Sequence, residues 1–183
     1  MKVLAEEGDS GLTIEALCTR LEKTKGSFYH HFPGREGFVA RLLEHWESVY
    51  TGSIIDDLEP LGDPRKRLLG LAARTVREVD SRLERAIRIW SDRNSTVKVV
   101  LTRVDQVRES YMRDQFAAAT QDSDQSAAAA RAHLAILVGT QMLYQHLSRD
   151  ELSRIYSFVD FLGLAPAVEA TELAEMDDSE EVS

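Results

Sequence analysis

Side chains suited to contacting nucleic acid are concentrated in residues 24–35. This segment supplies a cation, two hydroxyl groups, an imidazole and a glycine that permits close approach, namely Lys25, Ser27, Tyr29, His30 and Gly26. Groups of these kinds form hydrogen bonds with phosphate oxygens and with base edges in the major groove of DNA. Phe28 and Phe32 are four residues apart, so they share the inner face of a helix and leave the polar groups outside. These residue types and spacings predict a helix that reads DNA.

Two short helices separated by a tight break are predicted around this segment. The first covers residues 13–21, with Thr13 as its N-cap and an apolar face of Ile14, Leu17, Cys18 and Leu21. The break is Glu22-Lys23. The second helix starts from Thr24 as N-cap and continues to Phe32, where Pro33-Gly34 stops it. This pattern is typical of a helix-turn-helix in which the second helix contacts the bases.

The same residues resemble the DNA-binding motif of the tetracycline-repressor (TetR/AcrR) family of bacterial transcription regulators. The resemblance rests on Glu7-Gly8, Thr13, Glu15-Ala16-Leu17, the run from Thr24 to Phe32, and Arg35-Glu36-Gly37-Phe38. It covers roughly the first 50 residues, and beyond them only the helical layout and the length are similar. The resemblance implies that Tyr29 and Arg35 bind phosphates while Lys25, Ser27 and His30 lie near bases. With Thr13, Thr24 and Gly26, these residues form the predicted DNA-binding set.

Two features depart from the family pattern. The family usually has Gly and then an aliphatic residue at the turn, where this chain has Glu22 and Lys23. A left-handed conformation at Glu22 costs on the order of 1–2 kcal/mol relative to Gly. Family members also begin with a full helix and a basic arm, whereas residues 1–7 provide at most two turns. Either the true start lies upstream of Met1 or the DNA-binding part is weakened, and the retained surface residues favour the former.

The charge of the chain is unevenly distributed. The net charge is −9, but many of the acidic residues follow Ala165, where no Lys or Arg occurs. Between Thr13 and Arg35 the cations outnumber the two acidic residues by a small margin. So small an excess implies few phosphate contacts per subunit, which favours a paired protein. A single cysteine, Cys18, and the lack of a long apolar run predict a cytoplasmic protein without a disulfide or a membrane span.

The rest of the chain is predicted to be helical, because no strand-like alternation occurs in it. Caps and turns divide it into helices at about 36–57, 64–79, 81–91, 96–119, 126–146 and, after the capping box Ser148–Glu151, to about 162. The predicted fold class is therefore all-α. We assign residues 1–45 to a helix-turn-helix DNA-binding domain with a shortened first helix. Residues 46–164 form a helical regulatory and dimerisation domain, and 165–183 an acidic tail that is expected to be disordered.

The last two predicted helices carry broad apolar faces that a monomer would expose. In the resembled family such a pair forms a four-helix bundle with its two-fold mate, so a homodimer is expected, with burial inside one subunit as the alternative. A dimer would set two reading helices one DNA turn apart on a palindromic double-stranded operator. The predicted interface consists of Leu134, Leu137, Val138, Gln141, Leu152, Ile155, Tyr156, Val159 and Leu162.

A regulator of the resembled type responds to a small-molecule effector, expected here to be largely apolar. Residues that combine apolar bulk with a polar group are typical of such pockets, although each type is also common in a core. The candidates on the middle and later helices are Trp90, Tyr111, Met112, Phe116, Met142, Tyr144 and His146.

Catalysis is not expected. The sequence lacks a His-Glu-x-x-His motif, a cysteine pair, a Glu-x-x-His motif and a glycine-rich loop, so we expect neither a metal site nor a cofactor. The resemblance implies a ligand-responsive transcription regulator, most commonly a repressor in this family. The alternative is a helical ligand-binding dimer with a weakened or non-functional DNA-binding part.

Overall fold

The computed structural model describes residues 1–144 and 146–164, without the side chains of 161–163. The predicted tail 165–183 and the side chain of Leu162 therefore lie outside the described residues. Within the described residues the regular structure is helical and no β-strand occurs, which confirms the all-α prediction. None of the described helices has the length and apolar character needed to cross a lipid bilayer.

Ten α-helices follow one another in the described part of the chain. They are α1 Lys2–Glu7, α2 Ile14–Arg20, α3 Lys25–His31, α4 Gly34–Glu47, α5 Ser53–Leu58, α6 Pro64–Glu78, α7 Ser81–Ser91, α8 Ser95–Thr120, α9 Ser123–Leu143 and α10 Arg149–Leu164. Side chains cap α6, α7 and α8, since Asp63, Asp80 and Asn94 accept hydrogen bonds from backbone N–H groups of the first turn. The predicted capping box before α10 is also present, because the Glu151 side chain accepts from the Ser148 backbone N–H at 2.8 Å.

The predicted boundaries are wrong in two places. Helix α9 begins at Ser123 rather than Ser126, because Asp122 caps it by accepting hydrogen bonds from Asp124 N and Gln125 N at 3.0 and 2.9 Å. The helix predicted at about 36–57 is not uniform, since a π-helical turn, Ser48–Gly52, separates α4 from α5. Such turns accommodate an extra residue in the helix and are frequent at functional sites.

One apolar core joins the helix-turn-helix to the longer helices. It contains Leu4 of α1, Leu17 of α2, Phe28 of α3 and Trp46 of α4, all packed in one cluster with Trp90 of α7. A second cluster lies between α6, α8 and α9 and contains Leu68, Met112, Phe116, Ala129 and Ala130. The first core spans both sides of the predicted boundary at residue 45, so α4 and α7 fix the position of the helix-turn-helix against the rest of the protein.

Candidate nucleic-acid interface

Helix α2 supports the interface. Thr13 caps it as predicted, its Oγ1 accepting from Ala16 N at 3.1 Å, and Leu17 and Cys18 point into the core. Leu21 was predicted to share this buried face but is 64% exposed. The helix ends at Arg20, so Leu21 no longer follows the helical stripe.

The turn after α2 is a Schellman motif built without glycine. Lys23 N donates to Cys18 O at 2.9 Å and Glu22 N donates to Thr19 O at 3.3 Å, which is the pair of bonds that defines the motif. Glu22 has a φ of 52°, the left-handed conformation anticipated from the sequence. Both residues are exposed, so the turn orients α3 through backbone hydrogen bonds, with little help from side-chain packing.

Replacing Glu22 by glycine is expected to raise the free energy of unfolding by about 1 kcal/mol or slightly less. The substitution removes the left-handed strain, and the greater entropy of the unfolded glycine offsets part of the gain. Urea denaturation measures the change. Ala16→Gly, at an exposed position of α2, is the matched control and should instead lower stability by about 1 kcal/mol. A loss of stability in Glu22→Gly would contradict the assigned strain.

Helix α3 is held in place by its inner aromatic face. Thr24 Oγ1 accepts from Ser27 N at 3.1 Å, as the predicted N-cap should. Phe28 is buried, and its ring lies 5.2 Å from that of Phe32 and 5.7 Å from that of Phe38 on α4. These contacts between rings fix the rotation of α3 and so decide which residues face outward.

The outward surface of α3 carries the predicted DNA-contacting groups. Lys25, Gly26, Tyr29 and His30 are exposed, and Ser27 is half-buried. Tyr29 is 58% exposed, and its ring meets the edge of Phe28 at 5.8 Å, which positions the phenol. Among described atoms, a Cβ built at Gly26 would meet only Thr24 Oγ1, at 3.7 Å. Packing within the chain therefore does not require glycine there, and the space remains open to a partner.

Arg35 has a positioning contact inside the chain. Its Nε donates to Leu12 O at 3.2 Å, which ties the start of α4 to the loop before α2. The side chain is nevertheless exposed, so its remaining N–H groups can bind a phosphate.

The sequence missed how much of the local positive charge is neutralised. Arg20 forms ion pairs with Glu6, at 2.7 Å, and with Glu7. The hydrogen bond that Arg20 donates to Glu7 raises the pKa of Arg20. Lys25 lies 4.0 Å from Glu15, whereas Lys23 is exposed and pairs with no described carboxylate. Arg20 thus braces α1 against α2, and the cations available for phosphates are Lys23, Lys25 and Arg35.

Comparison with known proteins supports the arrangement. Residues 1–42 match the family model for bacterial regulatory proteins of the tetR family. The N-terminal domain of the chain is thus of the tetR type. The chain is also 34% identical over 68 residues to the HTH-type transcriptional repressor DhaR of Mycobacterium sp. (strain GP1), a match that spans 37% of this chain and 34% of that repressor. The family match coincides with the part of the chain that folds into α1 to α4.

The chain also contains a mostly apolar cavity among α5, α6, α8, α9 and α10. Its volume is about 600 Å³, including space that is open to solvent. Its lining residues are Tyr50, Thr51, Ile54, Ile55, Leu71, Ala72, Thr75, Val79, Arg108, Tyr111, Met112, His133, Leu137 and Tyr156. Leu71, Ala72, Thr75 and Val79 lie at helical spacing in the sequence, on the inward face of α6.

The predicted pocket residues are divided between several places. Tyr111 and Met112 line the cavity, and Phe116 is packed beside it against His133, with 5.7 Å between ring centres. Trp90 lies in the core below the helix-turn-helix, away from the cavity lining. Met142 is half-buried, and Tyr144 and His146 are exposed near the end of α9. His133 was not singled out in the sequence, because one histidine on an alanine-rich helix gives no periodic signal.

The predicted dimer residues also differ in exposure. Leu134, Val138, Leu152 and Ile155 are half-buried in the single chain. Gln141, Tyr156 and Val159 are already buried there, and Leu137 and Tyr156 line the cavity. Among the described side chains of these helices, the large apolar ones left exposed are Leu143 and Phe158, at 69% and 62%.

Proposed function

We propose that this chain is a TetR-family transcriptional repressor that binds a palindromic operator as a homodimer and is released by a small, largely apolar effector. The observation that carries the proposal is the outward surface of α3, where Lys25, Gly26, Tyr29 and His30 surround an open approach for DNA. A helix held by an aromatic face and presenting such groups suits the major groove.

Dimer formation is supported by the apolar side chains of α9 and α10. Leu143 and Phe158 expose most of their surface, and half-buried Leu134, Val138, Leu152 and Ile155 lie on the same two helices. Exposed apolar patches of this kind mark association surfaces. Two subunits would double the few phosphate-binding cations that each helix-turn-helix offers.

Release by an effector is supported by the continuity between the segment that lines the cavity and α4. Tyr50, Thr51, Ile54 and Ile55 line the cavity and belong to the π-turn and α5, which continue directly from α4. The other end of α4 packs against α3 through Phe38. An occupant that favours one placement of this helical segment would change the affinity of the protein for DNA. By linkage, DNA would change the affinity for the occupant by the same free energy.

The test is fluorescence anisotropy of the chain on DNA from its own upstream region, over a salt series and against scrambled DNA. Tyr29→Ala is expected to weaken binding to the selected DNA about 10- to 100-fold, since a lost base or phosphate contact costs about 1–3 kcal/mol. Lys25→Ala should weaken binding and flatten the salt dependence, because it removes one neutralised phosphate.

Lys98→Ala is the matched control, since Lys98 is an exposed lysine on α8. It should leave the affinity and its salt dependence unchanged. Binding no tighter than to scrambled DNA would overturn the repressor proposal and favour a ligand-binding dimer without DNA recognition. Neutralisation of Arg20 by Glu6 and Glu7 is the observation that favours this second candidate.

A further inference from the structure

The cavity offers no uncompensated charge to an occupant. The cationic residue in its described lining is Arg108. The Arg108 guanidinium donates to both carboxylate oxygens of Glu84, at 2.9 and 3.0 Å. It also donates to Thr51 Oγ1 at 3.0 Å and to Tyr50 O at 3.3 Å. A charged occupant would lose its hydration without gaining an opposite charge, so the cavity favours an uncharged molecule.

Two buried polar atoms on the cavity lining have no hydrogen-bond partner among the described residues. They are the hydroxyl of Tyr111 on α8 and Nδ1 of His133 on α9. Buried polar atoms in proteins are almost always paired, and an unpaired one costs roughly 1–3 kcal/mol. Both atoms belong to residues in the lining of one cavity, where an occupant could supply their partners.

The other nitrogen of the His133 imidazole lies close to a buried carboxylate. Nε2 lies 3.2 Å from Oδ1 of Asp160, and the ring stacks on Tyr156 with 6.2 Å between ring centres. Burial lowers the pKa of His133 to about 4, so the ring is uncharged near neutral pH. Nδ1 of an uncharged ring either accepts or donates, depending on which nitrogen carries the proton.

We propose that the cavity binds a small, uncharged alcohol or phenol whose apolar part fills the aliphatic lining and whose hydroxyl hydrogen-bonds Tyr111 and Nδ1 of His133. A hydroxyl group donates and accepts, so it satisfies the imidazole in either tautomer and the phenol of Tyr111 as well. The free space limits the apolar part to a small group. This inference rests on the proposed function in taking the cavity as the effector site.

The test compares p-cresol, toluene and 4-methylbenzoate, which share a methylated ring and differ only in the polar group. Isothermal titration calorimetry of the full chain should give p-cresol at least tenfold tighter than toluene, with 4-methylbenzoate the weakest. Tyr111→Phe removes one oxygen from the lining and should weaken p-cresol about tenfold while leaving toluene unchanged. Tyr144→Phe, at an exposed tyrosine outside the cavity lining, is the matched control and should change neither.

Several results would overturn the inference. They are equal binding of p-cresol and toluene, preference for 4-methylbenzoate, absence of binding by all three, or an unchanged p-cresol affinity in Tyr111→Phe. Anisotropy on DNA with and without p-cresol separates this inference from the proposed function. Binding of p-cresol that depends on Tyr111 but leaves DNA affinity unchanged would support the ligand class and overturn its role as effector.

Discussion

Replacing Arg108 by methionine is expected to lower the free energy of unfolding by about 3–5 kcal/mol, the usual cost of removing one partner of a buried ion pair. The side chain of Glu84 is 1% exposed and that of Arg108 is 10% exposed. Without Arg108, the described partner left for the Glu84 carboxylate is Trp46 Nε1–H, at 2.8 Å. Methionine roughly replaces the apolar stem of Arg108 but removes the guanidinium that lies over the Trp46 ring, 5.4 Å from its centroid. The loss therefore reports the uncompensated carboxylate together with a smaller cation–π contact.

The double variant Glu84→Gln/Arg108→Met should recover most of this loss. A buried ion pair contributes little net stability compared with neutral groups of similar size, because both charges are desolvated. Arg103→Met is the matched control, since Arg103 pairs with Glu47 at the surface, where such pairs contribute about 0–1 kcal/mol. Urea denaturation at neutral pH measures all three. A cost for Arg108→Met no larger than that for Arg103→Met would contradict the prediction.

In the proposed function, the pair links the cavity to the helix-turn-helix. Arg108 lies in the cavity lining and holds the π-turn through Thr51 Oγ1 and Tyr50 O, while Glu84 holds Trp46 on α4. One charged cluster therefore fixes the π-turn, α4, α7 and α8 relative to one another. An occupant of the cavity touches this cluster directly, which gives effector binding a physical route to the helix-turn-helix.

Local sequence signals predicted the helix-turn-helix closely. Thr13 and Thr24 cap their helices, and Glu22 takes the left-handed conformation, because caps and turns depend on residues a few positions apart. The spacing of Phe28 and Phe32 fixed the inner face of α3 in the same way. Leu21 was misjudged because its exposure depends on where α2 ends.

Features set by tertiary contacts were not predictable in this way. Helical periodicity identified the inner face of α6, but not that it lines a cavity with Tyr111 and His133 from distant parts of the chain. Composition counted Arg20 as a free cation, whereas the fold places it against Glu6 and Glu7. No feature of the sequence indicated the π-turn Ser48–Gly52, because its residues are equally compatible with a continuous α-helix.

Replacing either member of the His133–Asp160 pair is expected to make stability depend on pH, with opposite signs for the two replacements. Burial lowers the pKa of His133 from 6.5 to about 4 and raises that of Asp160 from 3.8 to about 7. Between pH 4 and 6.5 the unfolded chain carries its proton on the histidine, whereas the folded chain carries it on the aspartate. Both states bind one proton, so the intact pair contributes almost no slope in this range.

Asp160→Asn leaves a buried histidine whose folded pKa lies below its unfolded value. The unfolded chain then binds more protons, so stability should rise with pH from about 4 to 6.5, by up to about 3 kcal/mol at 1.36 kcal/mol per unit. His133→Gln leaves a buried aspartate whose folded pKa lies above its unfolded value. The folded chain then binds more protons, so stability should fall as pH rises from about 3.8 to 7, by up to about 4 kcal/mol.

The measurement is the free energy of unfolding in urea at several pH values between 4.5 and 6.5, taken as the difference from the unchanged protein at each pH. Differences of this kind cancel the titration of exposed groups that all variants share. The double variant His133→Gln/Asp160→Asn is the control and should give a flat difference. Slopes of the same sign in the two single variants would contradict the assigned protonation states. A buried histidine with a lowered pKa and a buried aspartate with a raised pKa change stability in opposite directions as the pH rises.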